Sequence, residues 1–134
     1  MLKLEIVTPE KRVFDGDVES VTVPTASGEA GIFPNHAPLV SALKPGVLSY
    51  SQKGGADKLA VSGGFVEVRG NRVSVLADTA ETADDVDLDS ARGERDAAEK
   101  ALAAASSASI EENEPLRKKL ESANARIAIA GGGK

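Results

Sequence analysis

The feature that most restricts this chain is a change of residue class near Ala80. Residues 1–80 hold all four aromatics, nine of thirteen Gly, five of six Pro and 18 Val, Ile or Thr, whereas residues 81–134 hold no aromatic, five Val, Ile or Thr, and 13 Ala. Branched and aromatic side chains broken at close spacing by Gly and Pro build short strands, and alanine-rich segments build helices. The first part is therefore expected to be a β-sandwich or barrel and the second a pair of helices. Charge divides at the same place: 8 basic and 9 acidic residues come first, then 8 and 12.

Several strands are legible. Leu2, Leu4 and Ile6 alternate with Lys3 and Glu5, Val21 and Val23 alternate before Pro24, and Val47-Leu48-Ser49-Tyr50 runs into a loop at 53–57 before Leu59 and Val61. The best-defined hairpin is Phe65–Arg69, then Gly70-Asn71, then Arg72–Leu76, because a two-residue turn fixes the register. It predicts Val68 opposite Val73 and Val66 opposite Val75 on a core face, with Arg69 opposite Arg72 and Glu67 opposite Ser74 on a solvated face. Phe65 is expected in the core with the valines.

Past Ala80 the spacing becomes helical. Asp84, Asp85 and Asp87 are placed to cap and charge a first helix whose thin apolar stripe is Leu88, Ala91, Ala98, Leu102 and Ala105, with Arg95 at the missing step. Ser106-Ser107-Ala108-Ser109 is a break, and Leu116, Leu120, Ala123, Ile127 and Ala130 mark a second helix, with Pro115 in its first turn after a cap at Asn113 or Glu114. Gly131-Gly132-Gly133 ends it. So short a break makes the helices antiparallel neighbours.

Composition removes much of chemistry. With no Cys, no Trp and one His, the chain has no disulfide, thiolate metal site, Cys nucleophile or multi-His cluster. A net charge of −5 has the wrong sign for binding phosphate backbones, so nucleic acid is not an expected partner. Neither a signal peptide nor a membrane-spanning run is visible, and a soluble protein is expected. Asp85-Val86-Asp87-Leu88-Asp89 starts like a calcium loop, but Ser90 stands at its sixth position and Asp96 at its twelfth, so no metal site is expected. Gly131-Gly132-Gly133-Lys134 shares only composition with a phosphate loop. His36 lies in Pro34-Asn35-His36-Ala37-Pro38, a rigid loop without a nucleophile elbow, which favours contact over catalysis.

The stretch Ser27-Gly28-Glu29-Ala30-Gly31-Ile32-Phe33-Pro34-Asn35-His36-Ala37-Pro38-Leu39-Val40, then Leu43-Lys44-Pro45-Gly46-Val47-Leu48, resembles the epsilon subunit of F-type ATP synthases. Ala60–Val68 and Val73–Glu81 match that family in the expected order and spacing. The resemblance covers residues 2 to 90 closely and the rest by architecture and length. It implies a two-sheet β-sandwich over residues 1–84 followed by a helical hairpin over 85–134. It also implies a non-catalytic central-stalk subunit that couples proton-driven rotation to ATP synthesis. The implied partners are the gamma subunit, the c-subunit rotor ring and the catalytic alpha/beta hexamer. The implied location is the cytoplasmic face of the bacterial inner membrane, or the stromal face of a thylakoid, without insertion. By motif match, Glu29 and its loop lie towards the ring and His36 near the ring or gamma.

The same resemblance implies that the hairpin restrains ATP hydrolysis when it extends into the hexamer, where Arg117, Lys118, Lys119 and Arg126 would meet acidic loops. The predicted stripe has few large residues, chiefly Leu88, Leu102, Leu116, Leu120 and Ile127, each worth about 1.5–3 kcal/mol when fully buried. Docking on the sandwich is therefore expected to be marginal and open to a partner's pull. Some relatives bind ATP in the hairpin through an I-D-x-x-R-A motif, but here Val86-Asp87-Leu88-Asp89-Ser90-Ala91 has Ser90 for Arg, and a two-residue shift recovers Arg92 but loses the Ala to Gly93. No cofactor is required, and ATP is expected at most as a weak regulatory ligand of Glu81, Asp87, Arg92 and Arg126. A reading from another class is a carbohydrate-binding sandwich with an oligomerising tail, which would need exposed aromatics. An enzyme comes third.

Overall fold

The computed structural model describes residues 1–105 and 112–132. Ten strands fill the first part: β1 (Leu2–Val7), β2 (Arg12–Val18), β3 (Ser20–Thr25), β4 (Gly28–Ile32), β5 (Leu39–Ala42), β6 (Gly46–Gln52), β7 (Gly55–Ser62), β8 (Phe65–Arg69), β9 (Arg72–Leu76) and β10 (Thr79–Glu81). They form two five-stranded sheets, one ordered β2-β1-β9-β8-β5 and the other β10-β7-β6-β3-β4. All pairs are antiparallel except β1 with β9, which run parallel.

The predicted hairpin register holds, with Val68 opposite Val73, Val66 opposite Val75, Glu67 opposite Ser74 and Arg69 opposite Arg72. The four valines are buried in a core shared with Leu2, Leu4, Ile6, Val21, Val23, Ile32, Leu48 and Val61. Phe65 is a correction: it is 58% exposed. Strand side chains alternate between faces, so Val66 and Val68 facing the core send Phe65, Glu67 and Arg69 outward. Phe14 and Tyr50 instead bridge the sheets, their ring centroids 4.5 Å apart. Burial raises the Tyr50 pKa, and the Asp57 carboxylate, 3.4 Å from the hydroxyl, raises it further.

Beyond β10, a 3-10 turn (Ala83–Asp85) leads to α1 (Leu88–Ala104); α2 (Glu114–Ile127) follows and continues into a π-helical turn (Ala128–Gly132). Asp85 closes the 3-10 turn by accepting from the Thr82 amide at 3.1 Å and its hydroxyl at 3.0 Å, and these bonds hold its carboxyl below the usual pKa. Asp87 caps α1, accepting from the Ser90 amide at 3.1 Å. Asn113 occupies the cap position of α2, but its side chain donates to the Ala105 carbonyl at the end of α1. The predicted break at Ser106–Ser109, like Gly133, lies outside the described residues.

The helices are antiparallel neighbours. α1 packs on α2, and α2 lies across β6 and β7 on the outer face of the second sheet. Among the described residues, the apolar side chains fully buried in the hairpin are alanines, Ala91 and Ala98 on α1 and Ala123 and Ala125 on α2, and Asn113 is buried between the helices, while Leu88, Leu102, Leu116 and Leu120 stay half-buried. Ala125 lies off the predicted stripe because α2 is covered on two sides, by α1 and by the sheet.

Candidate functional site

The predicted contact residues sit at opposite ends of one edge strand. Glu29 is the second residue of β4 and points away from the core, whereas His36 lies in the loop after β4, so the strand from Glu29 to Ile32, roughly 10 Å, and the start of that loop lie between them. The His36 loop is tightly built. Asn35 has φ 67° and the His36 amide donates to the Phe33 carbonyl at 3.2 Å, the pattern of a type II turn with Pro34 at its first corner. The Asn35 amide donates to the side chain of Asn71, in the β8–β9 turn, at 2.8 Å. His36 Nδ1 lies 2.6 Å from the Ala37 carbonyl; a carbonyl only accepts, so this contact puts a proton on Nδ1.

Residues named for regulation and nucleotide binding separate into three groups. Arg117, Lys118 and Lys119 are exposed and line a groove of about 900 Å³ between the start of α2 and the loops at Leu43–Pro45 and Gly63. Glu121 on the same helix reaches Lys44 across that groove at 3.7 Å. Asp87 is occupied with its cap, and Arg92 is exposed on α1. Arg126 stands apart: it is 17% exposed, with its Nε 2.8 Å from Glu81 of β10 and Nη1 on Glu94 of α1. Its Nη2 is 3.5 Å from the other Glu81 oxygen, while the buried Nε–H, although close to Glu81, is not aimed at an acceptor. Glu81 and Arg126, two of the four residues named for ATP, thus meet, but the guanidinium is already held between two carboxylates of its own chain. Glu94 carried no signal in the sequence beyond lying on a charged helix face.

An apolar row on the outer face of the first sheet was also not anticipated. Val7, Leu76, Phe65 and Ala42 are successive partners across β1, β9, β8 and β5. Leu76 is 57% exposed, and Val40, two residues before Ala42 on the same face, is 70% exposed. The next row is Glu5, Ser74, Glu67 and Val40, so the patch is rimmed by charge on one side. The hairpin covers the opposite sheet. An alternation rule applied strictly to 65–76 would have placed Phe65 and Leu76 here.

Residues 1–83 match the family described as ATP synthase, Delta/Epsilon chain, beta-sandwich domain. An ATP synthase epsilon chain from Desulforamulus reducens is 53% identical over 100 residues, 75% of this chain and 76% of that relative. One from Halalkalibacterium halodurans is 41% identical over 130 residues, 97% of both chains. Among solved structures, a chain in the cryo-EM structure of the Euglena gracilis mitochondrial ATP synthase superposes with a TM-score of 0.75 at 24% identity, over 92% of this chain and 78% of that one. A chain of the Tetrahymena thermophila central stalk and c-ring structure gives 0.54 at 19% identity, over 62% and 67%. At these identities the structural matches speak to the fold alone.

Proposed function

Since the chain belongs to the ATP synthase delta/epsilon family, we propose that it works as a non-catalytic central-stalk subunit that couples rotation to ATP synthesis, its sandwich bound to the gamma subunit and the c-subunit ring. The observation that carries this reading is the outward-facing row Val7, Leu76, Phe65 and Ala42 with Val40, in which Leu76, Phe65 and Val40 are more than half exposed, on the sheet face that the hairpin leaves open. A contiguous apolar strip with a charged rim is the anatomy of a protein interface, and an aromatic anchor such as Phe65 commonly carries much of the binding energy. In this reading Glu29 and the His36 loop supply the polar contacts of the ring side. The subunit is then peripheral to the membrane; among the described residues no helix is long and apolar enough to cross one. Phe65→Glu is expected to weaken binding to gamma at least tenfold, about 1.4 kcal/mol or more, with the strand circular dichroism unchanged. Wild-type affinity in a folded variant would refute the assignment.

The hairpin, in the same proposal, restrains ATP hydrolysis by leaving the sandwich and presenting Arg117, Lys118 and Lys119 to the alpha/beta hexamer. Support comes from the small buried apolar side chains of its described residues, all alanine, which hold it weakly, and from the exposure of those three cations. ATP acts on it weakly at most, because Arg126 is already paired and position 90 is Ser. Removing residues 85–134 is expected to raise hydrolysis by the assembled complex several-fold. Equal hydrolysis with and without them would mean a static hairpin.

A further inference from the structure

We propose that Arg126 is a bivalent clasp that ties docking of α2 on the sandwich to closure of α1 on α2. Its guanidinium reaches Glu81 on the sandwich edge strand with Nε and Nη2, and Glu94 on α1 with Nη1. Both partners are remote in sequence, 45 and 32 residues away, so the three groups meet only when β10, α1 and α2 are all in place. α2 carries the packing on β6 and β7, and α1 packs on α2. Among the described residues, the polar link from α1 to the sandwich therefore runs through this one side chain.

Burial makes the Glu81 arm more than a surface pair. Arg126 is 17% and Glu81 29% exposed, so solvent and salt screen them less than they screen Lys44 with Glu121, both 44% exposed, whereas the Glu94 carboxylate, at 58%, is the more solvated arm. The planar fork of Arg serves two carboxylates at once, which the single ammonium of Lys does poorly. The rest of the interface contributes less, because among the described residues its fully buried apolar side chains are alanines and its other ion pair to the sandwich, Lys44 with Glu121, is exposed on both sides. The two carboxylates have separable jobs: Glu81 holds the whole hairpin to the sandwich, and Glu94 holds α1 to α2.

Hydrogen exchange by mass spectrometry on the full chain tests this. Glu81→Lys is expected to speed exchange about tenfold or more through both helices and the Ala128–Gly132 turn, with β1, β8 and β9 unchanged as proof that the sandwich is folded. Glu94→Lys should speed exchange in α1 alone. Combining Glu81→Lys with Arg126→Glu restores the charge pair to the sandwich but sets Glu94 against a like charge, so protection should return to α2 and not to α1. Exchange within twofold of the wild type in both single variants, or recovery of both helices or of neither in the combined one, would overturn the clasp. The consequence for turnover rests on the hairpin reading above. If Glu81→Lys frees the hairpin by exchange yet leaves hydrolysis by the complex unaltered, the clasp stands and the regulatory reading falls.

Discussion

Gly64→Ala is expected to destabilise the sandwich by more than about 4 kcal/mol, enough to unfold it, while Gly54→Ala costs only about 1–3 kcal/mol. The two glycines have nearly the same backbone conformation, φ +97° and +96°. What differs is space. A Cβ on Gly54 meets nothing within 4 Å, whereas one on Gly64 would fall 1.8 Å from the Leu76 carbonyl oxygen, a backbone atom that no side-chain rotation can move aside. Gly63-Gly64 is also the link by which the chain passes from β7 in one sheet to β8 in the other, and the Gly64 carbonyl accepts from the Leu43 amide at 2.9 Å. Relief of the clash must therefore pull β8 from β9 at the point where the sheets are joined. Urea titration followed by circular dichroism measures both variants; equal midpoints would show that the left-handed backbone, and not the close approach, sets the requirement.

Leu48→Ala should cost about 2–5 kcal/mol, against about 1 kcal/mol for the same truncation at Leu116. Leu48 lies on β6, the central strand of its sheet, opposite Leu59 and 0% exposed, so the deleted atoms leave a cavity that rigid strands cannot close. Leu116 is half-exposed on α2, where its neighbours can settle and water already reaches it. The difference states where the stability of this protein resides. In the full chain Leu48→Ala is expected to move the main unfolding transition and Leu116→Ala to leave it in place. If both shift it equally, hairpin and sandwich unfold as one unit, and the hairpin could not move separately under native conditions.

Most of the strand-level structure was legible because it is local. Gly70-Asn71 between alternating runs sets a register without reference to the rest of the chain, and that register put Val66, Val68, Val73 and Val75 in the core as read. The misplacement of Phe65 came from weighing its hydrophobicity above its parity, although parity with Glu67 and Arg69 was present in the sequence. The helix caps were local too: Asp87 serves the start of α1, and Pro115 stands in the first turn of α2.

The amino-acid sequence by itself thus determined the two classes of structure, the order of most elements and the shape of the Pro34-Asn35 turn, since each depends on residues a few positions apart. Only the tertiary structure decided that β1 runs parallel beside β9, that Val7, Leu76, Phe65 and Ala42 line up as one outward-facing row, and that Arg126 parts company with Arg117, Lys118 and Lys119 to be held by Glu81 and Glu94. These depend on which distant segments close on one another. Hydrophobic burial drives that closure without direction, so the linear order of charges and apolar residues does not say which of them will meet.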